Sequence, residues 1–194
     1  MLYVGLTGGI GSGKTLAGKI LSAFGAPVFN ADDETKKCYN SDDALRAKLT
    51  ALLGDGIYHN GRLQRSAMAA AIFTDAQLLA QVNALVHPVV MERFRQFAGT
   101  QQAPYIVMEA AILFESGIGR QMHKTITVEA PEAIRIQRAM ARDSTDEATV
   151  CRRMQHQWTD EQRAAAADFI VVNDGRQALL PQLQAIDQQL RITN

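Results

Sequence analysis

The eight residues Gly8-Gly9-Ile10-Gly11-Ser12-Gly13-Lys14-Thr15 constrain the fold of this chain more than any other segment. They lie between a short apolar run, Leu2 to Thr7, and a segment from Lys14 to Phe24 whose apolar residues Leu16, Ile20, Leu21 and Phe24 recur at helical spacing. The pattern G-x-x-x-x-G-K-[ST] between a strand and a helix predicts a loop that encloses phosphate oxygens. Glycines let backbone N–H groups converge in conformations that a Cβ forbids. The helix that starts near Lys14 directs its positive end at the same anion. Lys14 adds a mobile cation to the β- and γ-phosphates, and the Thr15 hydroxyl is a ligand for Mg²⁺. The predicted nucleotide-binding residues are Gly9, Ile10, Gly11, Ser12, Gly13, Lys14, Thr15 and Leu16, with Thr15 at the metal. A glycine-rich turn that merely joins strand to helix is the competing reading, and the complete pattern in its proper setting weighs against it.

Gly25 ends the first helix, and Pro27-Val28-Phe29 opens a second strand that stops near Asp32, which completes a βαβ unit. Further strands are predicted at Tyr105 to Met108, Lys124 to Val128 and Phe169 to Val172, and an amphipathic helix at Gln177 to Leu190. Strands that alternate with helices predict an α/β fold with a parallel five-stranded sheet flanked by helices. Two helical insertions exceed what a crossover needs. Residues 34–100 are rich in Ala, Leu and Gln, with a turn-rich break at Gly54 to Gly61 and a further break predicted at Asn83 to Pro88, because proline disfavours helix at the preceding residue. Residues 132–167 carry a cluster of arginines. The expected organisation is a core of residues 1–33, 101–131 and 168–194, a helical substrate domain at 34–100 and a helical lid at 132–167.

Composition excludes several classes. The 20 basic side chains balance the 20 acidic ones, so no overall field favours nucleic acid or a membrane surface. The apolar runs fall short of a membrane span, and the N-terminus has no basic leader. Cys38 and Cys151 have no metal-ligand spacing and read as free thiols of a reducing compartment, which predicts a soluble cytoplasmic protein.

Within proteins that carry such a loop, no N-K-x-D segment marks a guanine-reading switch, and the third strand ends in Met108-Glu109 instead of the aspartate usual in motor ATPases. A kinase remains. Asn30-Ala31-Asp32-Asp33 supplies acids at the carboxyl end of the second strand, where ligands of open α/β sheets bind. A carboxylate there can accept the proton of an attacking hydroxyl, and Asp32 is the candidate. The competing reading makes Asp32 and Asp33 helix-start acids that complement the dipole. Arg135, Arg138 and Arg142 stand at i, i+3 and i+7 on one helical face. Guanidinium forks suit a transferring phosphoryl group, and the competing reading is a solvated face paired with Asp143, Asp146 and Glu147. His87 is either a structural hydrogen-bonding residue or a substrate contact. Glu115 is read as a ligand of a magnesium-bound water or as a cap of the following turn. Trp158 is read as packing, with stacking on adenine as the competing reading; Gln157 and the two cysteines are assigned no chemistry.

Taken in order, several blocks resemble the dephospho-coenzyme A kinase family: Val4 through Lys14, Asn30-Ala31-Asp32, Asn60-Gly61-Arg62-Leu63, Leu85-Val86-His87-Pro88, Leu113-Phe114-Glu115, Gln137-Arg138 with Arg142-Asp143, Arg153 through Gln157, and Ala167-Asp168 with Asn173. The resemblance covers nearly the whole chain. It implies transfer of the γ-phosphoryl group of ATP, with Mg²⁺, to the ribose 3′-hydroxyl of dephospho-coenzyme A, the last step of coenzyme A synthesis. It implies a fold like that of nucleoside monophosphate kinases, Asp32 near the acceptor hydroxyl, and Arg138 and Arg142 reaching the phosphates from the lid. This chain departs from the family pattern at Asn30, where an acid is common, and at Ala111, where proline is usual. Two other readings stand beside it: a kinase for another small acceptor, such as a nucleoside, a nucleoside monophosphate or a shikimate-like alcohol, and a non-catalytic nucleotide-binding module.

Overall fold

A computed structural model describes residues 1–72 and 75–192. Five strands form one parallel sheet: β1 (Leu2–Gly8), β2 (Val28–Asn30), β5 (Tyr105–Glu109), β6 (Lys124–Glu129) and β7 (Phe169–Val172), in the order β2-β5-β1-β6-β7. All pairings in it are parallel. The parallel five-stranded sheet expected from the sequence is the one observed, with helices α1 (Lys14–Ala23) and α9 (Leu179–Ile192) among those flanking it. β1 and β5 read as nearly continuous apolar runs because both faces are covered. Val4, Leu6, Tyr105, Val107, Ile126, Val128 and Val171 pack with Ala17 and Leu21 of α1 and with Leu183, Ile186 and Leu190 of α9.

Register decides what gathers at the functional end of this sheet. Leu6 and Asn30 both pair with Glu109, Gly8 with Val128, and Glu129 with Val172. The carboxyl ends of β1, β2, β5, β6 and β7 therefore finish together, at Gly8, Asn30, Glu109, Glu129 and Val172. That edge is where an open α/β sheet binds its ligand.

The chain divides into two compact units, Met1–Asn30 with Gln101–Asn194, and Ala31–Thr100. The first boundary falls three residues before the expected one, and β2 stops at Asn30 instead of running to Asp32, because α2 (Ala31–Ser41) starts directly from the strand. Its first turn holds Asp32, Asp33 and Glu34, acids that favour the positive end of a helix. Residues 132–167 lie within the first unit as three short helices, α6 (Glu132–Asp143), α7 (Glu147–Met154) and α8 (Asp160–Ala166).

In the second unit, α2 is followed by α3 (Asp43–Leu53), a hairpin of β3 (Tyr58–His59) and β4 (Arg62–Leu63), α4 (Arg65–Ile72) and α5 (Ala76–Gly99). The hairpin turns on Asn60 and Gly61, both at positive φ (49° and 73°), as a two-residue turn of matching twist demands. Leu45, Leu49, Ile57, Met68, Val82, Val86, Val90, Met91, Phe94 and Ala98 are buried here. The break expected at Asn83–Pro88 does not occur: α5 runs through Pro88. A proline inside a helix costs about 3 kcal/mol. Burial of Val82, Val86, Val90, Met91 and Phe94 on one stripe contributes about 1.5–3 kcal/mol each, and the stripe spans both sides of the proline. Tertiary burial thus outweighs the local break. Among the described residues, no helix is long and apolar enough to cross a membrane.

Candidate active site

The loop between β1 and α1 has the backbone its glycines predict. Gly11 and Gly13 adopt φ of 77° and 101°, and Gly13 precedes the first turn of α1 in a left-handed conformation. Protein atoms press on the loop from outside. A Cβ at Gly11 would overlap the backbone carbonyl of Arg135, and one at Gly13 would overlap the side-chain nitrogen of Asn173. Both positions are closed to larger residues on two counts, conformation and space. The loop is also held by hydrogen bonds from distant segments. Asn173 Nδ2 donates to the Ser12 carbonyl at 2.7 Å, and the Ile10 N–H donates to Gln157 Oε1 at 2.9 Å.

Directly after the loop, the Thr15 hydroxyl donates to Glu109 Oε1 at 2.6 Å. Glu109 ends β5 and is 5% exposed. Gly18, one turn along α1, faces it: a Cβ there would lie 3.4 Å from Glu109 Oε2, an ordinary contact. A buried carboxylate beside the predicted metal ligand is an arrangement that favours a cation. Mg²⁺ keeps several waters and takes one or two protein oxygens together with substrate phosphates, so a hydroxyl and one carboxylate are a sufficient donor set. Among the described residues, no cluster of three or more His, Cys, Asp or Glu side chains offers a fuller cage.

The predicted arginine face is real, but its members differ. Arg135 is 5% exposed; its Nε donates to the Ala130 carbonyl and its Nη2 pairs with Asp160 at 2.9 Å. Arg163, 1% exposed, shares the same Asp160. Both guanidinium groups crowd Gly9, where a Cβ would overlap Arg135 Nη1 and lie 2.9 Å from Arg163 Nη2. Near them, burial and the adjacent Asp160 push the Glu129 carboxyl up, against the lowering effects of the Thr127 hydroxyl and Arg163. Arg138 Nη1 donates to the Asn173 carbonyl at 3.1 Å, one residue's span from the loop contact at Ser12. Arg142 lies on the surface and forms a bidentate pair with Asp143, which also receives Arg153 at 2.6 Å. Those two guanidinium groups hold the Asp143 carboxyl well below the usual carboxylate range.

Glu115 accepts a hydrogen bond from the Trp158 N–H at 2.8 Å, and its other oxygen is buried without a hydrogen-bond partner. In the second unit, Asp32 is half-buried in the first turn of α2. His87 is half-buried inside α5, and burial lowers its pKa, so it is neutral at pH 7.

Comparison with known proteins decides the family. The dephospho-CoA kinase family matches residues 2–178. The chain belongs to the dephospho-CoA kinase family. It is 40% identical to the dephospho-CoA kinase of Porphyromonas gingivalis over 192 residues, covering 98% of this chain and 95% of that protein. It is 36% identical to that of Bacteroides fragilis over 183 residues, covering 94% and 89%. A crystal structure from Thermus thermophilus superimposes with a TM-score of 0.86 at 30% identity, covering 97% of both chains. The fold is shared with the shikimate kinase of Acinetobacter baumannii at a TM-score of 0.58 and 14% identity, covering 100% of this chain and 95% of that one.

Within the dephospho-CoA kinase family fold, the geometry gives several further residues a place at the loop. The sequence signal for Glu109 is a carboxylate at the end of a strand neighbouring β1, whether aspartate or glutamate. Gln157 and Asn173 stand in blocks that carry the family resemblance, but they and Arg163 lie about 150 residues from the loop in sequence, and their contact with it comes from the fold.

Proposed function

We propose that this chain transfers the γ-phosphoryl group of ATP to the ribose 3′-hydroxyl of dephospho-coenzyme A, giving coenzyme A and ADP. What carries the reading is the family match over residues 2–178, on a fold whose strand ends present a complete phosphate loop. The loop amides and Lys14 hold the β- and γ-phosphates. Thr15 and Glu109 are the residues to hold Mg²⁺, Thr15 by its hydroxyl and Glu109 directly or through a coordinated water. When bound, that ion neutralises charge on the phosphate oxygens. Asp32 accepts the proton of the attacking hydroxyl, and His87, as a neutral group, contacts the acceptor by hydrogen bonding.

Residues 132–167 act as the lid. Arg138 is supported as a phosphate contact by its tie to Asn173, which also grips Ser12. For Arg142 the support is energetic. An exposed ion pair such as Arg142–Asp143 is worth about 0–1 kcal/mol. A charge-assisted hydrogen bond to a phosphate is worth about 1.5–3 kcal/mol, enough to draw the guanidinium from Asp143. Glu115 serves by anchoring the backbone at Trp158. Cys38 and Cys151, both free, suit a reducing cytoplasm.

The test is a panel of acceptors assayed with ATP and Mg²⁺. Dephospho-coenzyme A is expected to exceed nucleosides, nucleoside monophosphates and shikimate by orders of magnitude in kcat/KM; a comparable rate with any of them defeats the assignment. Glu109→Gln is expected to raise the Mg²⁺ concentration for half-maximal activity by about 10- to 100-fold, the usual effect of disturbing groups around a metal. An unchanged Mg²⁺ titration removes Glu109 from that role.

A further inference from the structure

We infer that Gln157 is a positioning residue for the phosphate loop, fixing where the loop stands relative to the segment that follows β5. Its carboxamide is used at both ends. Oε1 accepts from the Ile10 N–H at 2.9 Å, and Nε2 donates to the Ala111 carbonyl at 2.9 Å. One planar group thus bridges two backbones that are about 100 residues apart, from a third segment between α7 and α8.

The residue type is demanding. A donor and an acceptor are needed on one terminal group: glutamate lacks the donor, lysine lacks the acceptor, and asparagine is one methylene short. Ile10 is the third residue of the octapeptide, at the front of the loop, ahead of the amides nearest the start of α1. With that amide committed to Gln157, phosphate oxygens are left to the amides from Gly11 onward. Ala111 stands two residues past Glu109, the carboxylate that meets Thr15. A single side chain therefore ties the front of the loop to the strand end that supports its rear.

The segment that delivers Gln157 is held at several points. The Trp158 N–H donates to Glu115 Oε1, and the Trp158 ring stacks on Phe114 with centroids 5.5 Å apart and planes 17° from parallel. The Trp158 carbonyl accepts from Arg163, and Asp160 pairs with both Arg135 and Arg163. Such anchorage fixes the carboxamide in place, so loss of its two hydrogen bonds frees the loop without releasing the segment. Displacement of reacting groups by about 1 Å can lower a rate by about 100-fold, whereas ATP affinity is spread over many loop amides.

The kinetic part of this proposal rests on the kinase reading, so the test has two independent arms. In the first, exchange of the Ile10 amide proton is followed by NMR in wild type and in Gln157→Met, which keeps the length and removes both polar ends. Exchange is expected to accelerate by about 10-fold or more at Ile10, with helix α1 amides unchanged. Unaltered protection at Ile10 overturns the bridge whatever the enzyme phosphorylates. In the second arm, Gln157→Met is expected to lower kcat by about 10- to 100-fold with the KM for ATP within about threefold. Gln157→Glu, which retains the acceptor but adds negative charge beside the loop, is expected to raise the KM for ATP instead. Proportionate changes of kcat and KM in both variants, or a kcat for Gln157→Met within twofold of wild type, overturn the positioning role. Absence of transfer to dephospho-coenzyme A by the wild type would instead defeat the kinase reading and leave the first arm standing.

Discussion

Lys14→Ala is expected to bring turnover close to background, a loss of at least about 10³-fold in kcat/KM, in a protein that remains folded. The physical case has two halves. The first is that Lys14 contributes charge where charge develops. The γ-phosphoryl group spreads negative charge over its oxygens as it moves, and a cation fixed at the mouth of α1 stabilises that state more than the ground state. The second is that the loop does not need Lys14 to keep its shape. Its backbone is set by the left-handed conformations of Gly11 and Gly13, by the Arg135 carbonyl behind Gly11, by Asn173 on the Ser12 carbonyl and by Gln157 on the Ile10 amide. Lys14 itself is half-buried, and these backbone and side-chain contacts of the loop remain when it is replaced by alanine. Thermal unfolding and steady-state kinetics on the same preparation check both halves. A thermal midpoint within a few degrees of wild type, with ATP binding by the remaining amides still measurable, is the expected partner of lost turnover. Near-normal turnover would sink the assignment of the loop.

How much was legible beforehand depended on how local the cause was. The phosphate loop and the five strands announce themselves within ten residues each, through glycine spacing and short apolar runs bounded by turns. The path of the chain at Pro88 did not, because a local rule, proline against helix, met a larger non-local term, the buried stripe from Val82 to Phe94. Glu109 was visible as a residue but not as a site, since its meaning comes from register: β5 lies beside β1, which puts Glu109 level with Leu6, and its carboxylate meets Thr15 beyond the end of β1. Arg135, Arg138 and Arg142 were correctly placed on one helix, yet periodicity could not sort them. Burial did so, turning Arg135 inward against Gly9, engaging Arg138 with Asn173 and leaving Arg142 on the surface with Asp143. The hairpin at Asn60-Gly61 shows the opposite case, a turn whose dipeptide specifies it but whose strands are too short to read as such.

Asp32→Asn is the second substitution from which a large effect is expected, and it separates the two readings of that carboxylate. As a helix-start acid in the first turn of α2, Asp32 contributes about 0.3–1 kcal/mol through the dipole, and asparagine gives up little more than that charge term. As the group that accepts the acceptor's proton, it contributes about 10²- to 10⁴-fold to the rate. The structural role therefore predicts a small drop in thermal midpoint with turnover preserved, and the catalytic role predicts the reverse. The expected result is a fall in kcat of about 10²-fold or more, with ATP affinity and thermal midpoint nearly unchanged. Asp33→Asn is the matched control, because Asp33 occupies the same helical turn and pairs with Lys36 on the surface. It shares the dipole effect and not the proton transfer, so its kcat is expected to stay within a few fold of wild type. Equal losses in turnover and ATP binding for Asp32→Asn, or an Asp33→Asn enzyme as impaired as it, would take the base role away from Asp32. The comparison also bears on Asn30. If Asp32 alone carries the rate, the amide at position 30 in place of the acid common in the family is compatible with full activity, and restoring a carboxylate there by Asn30→Asp would leave kcat within a few fold of wild type.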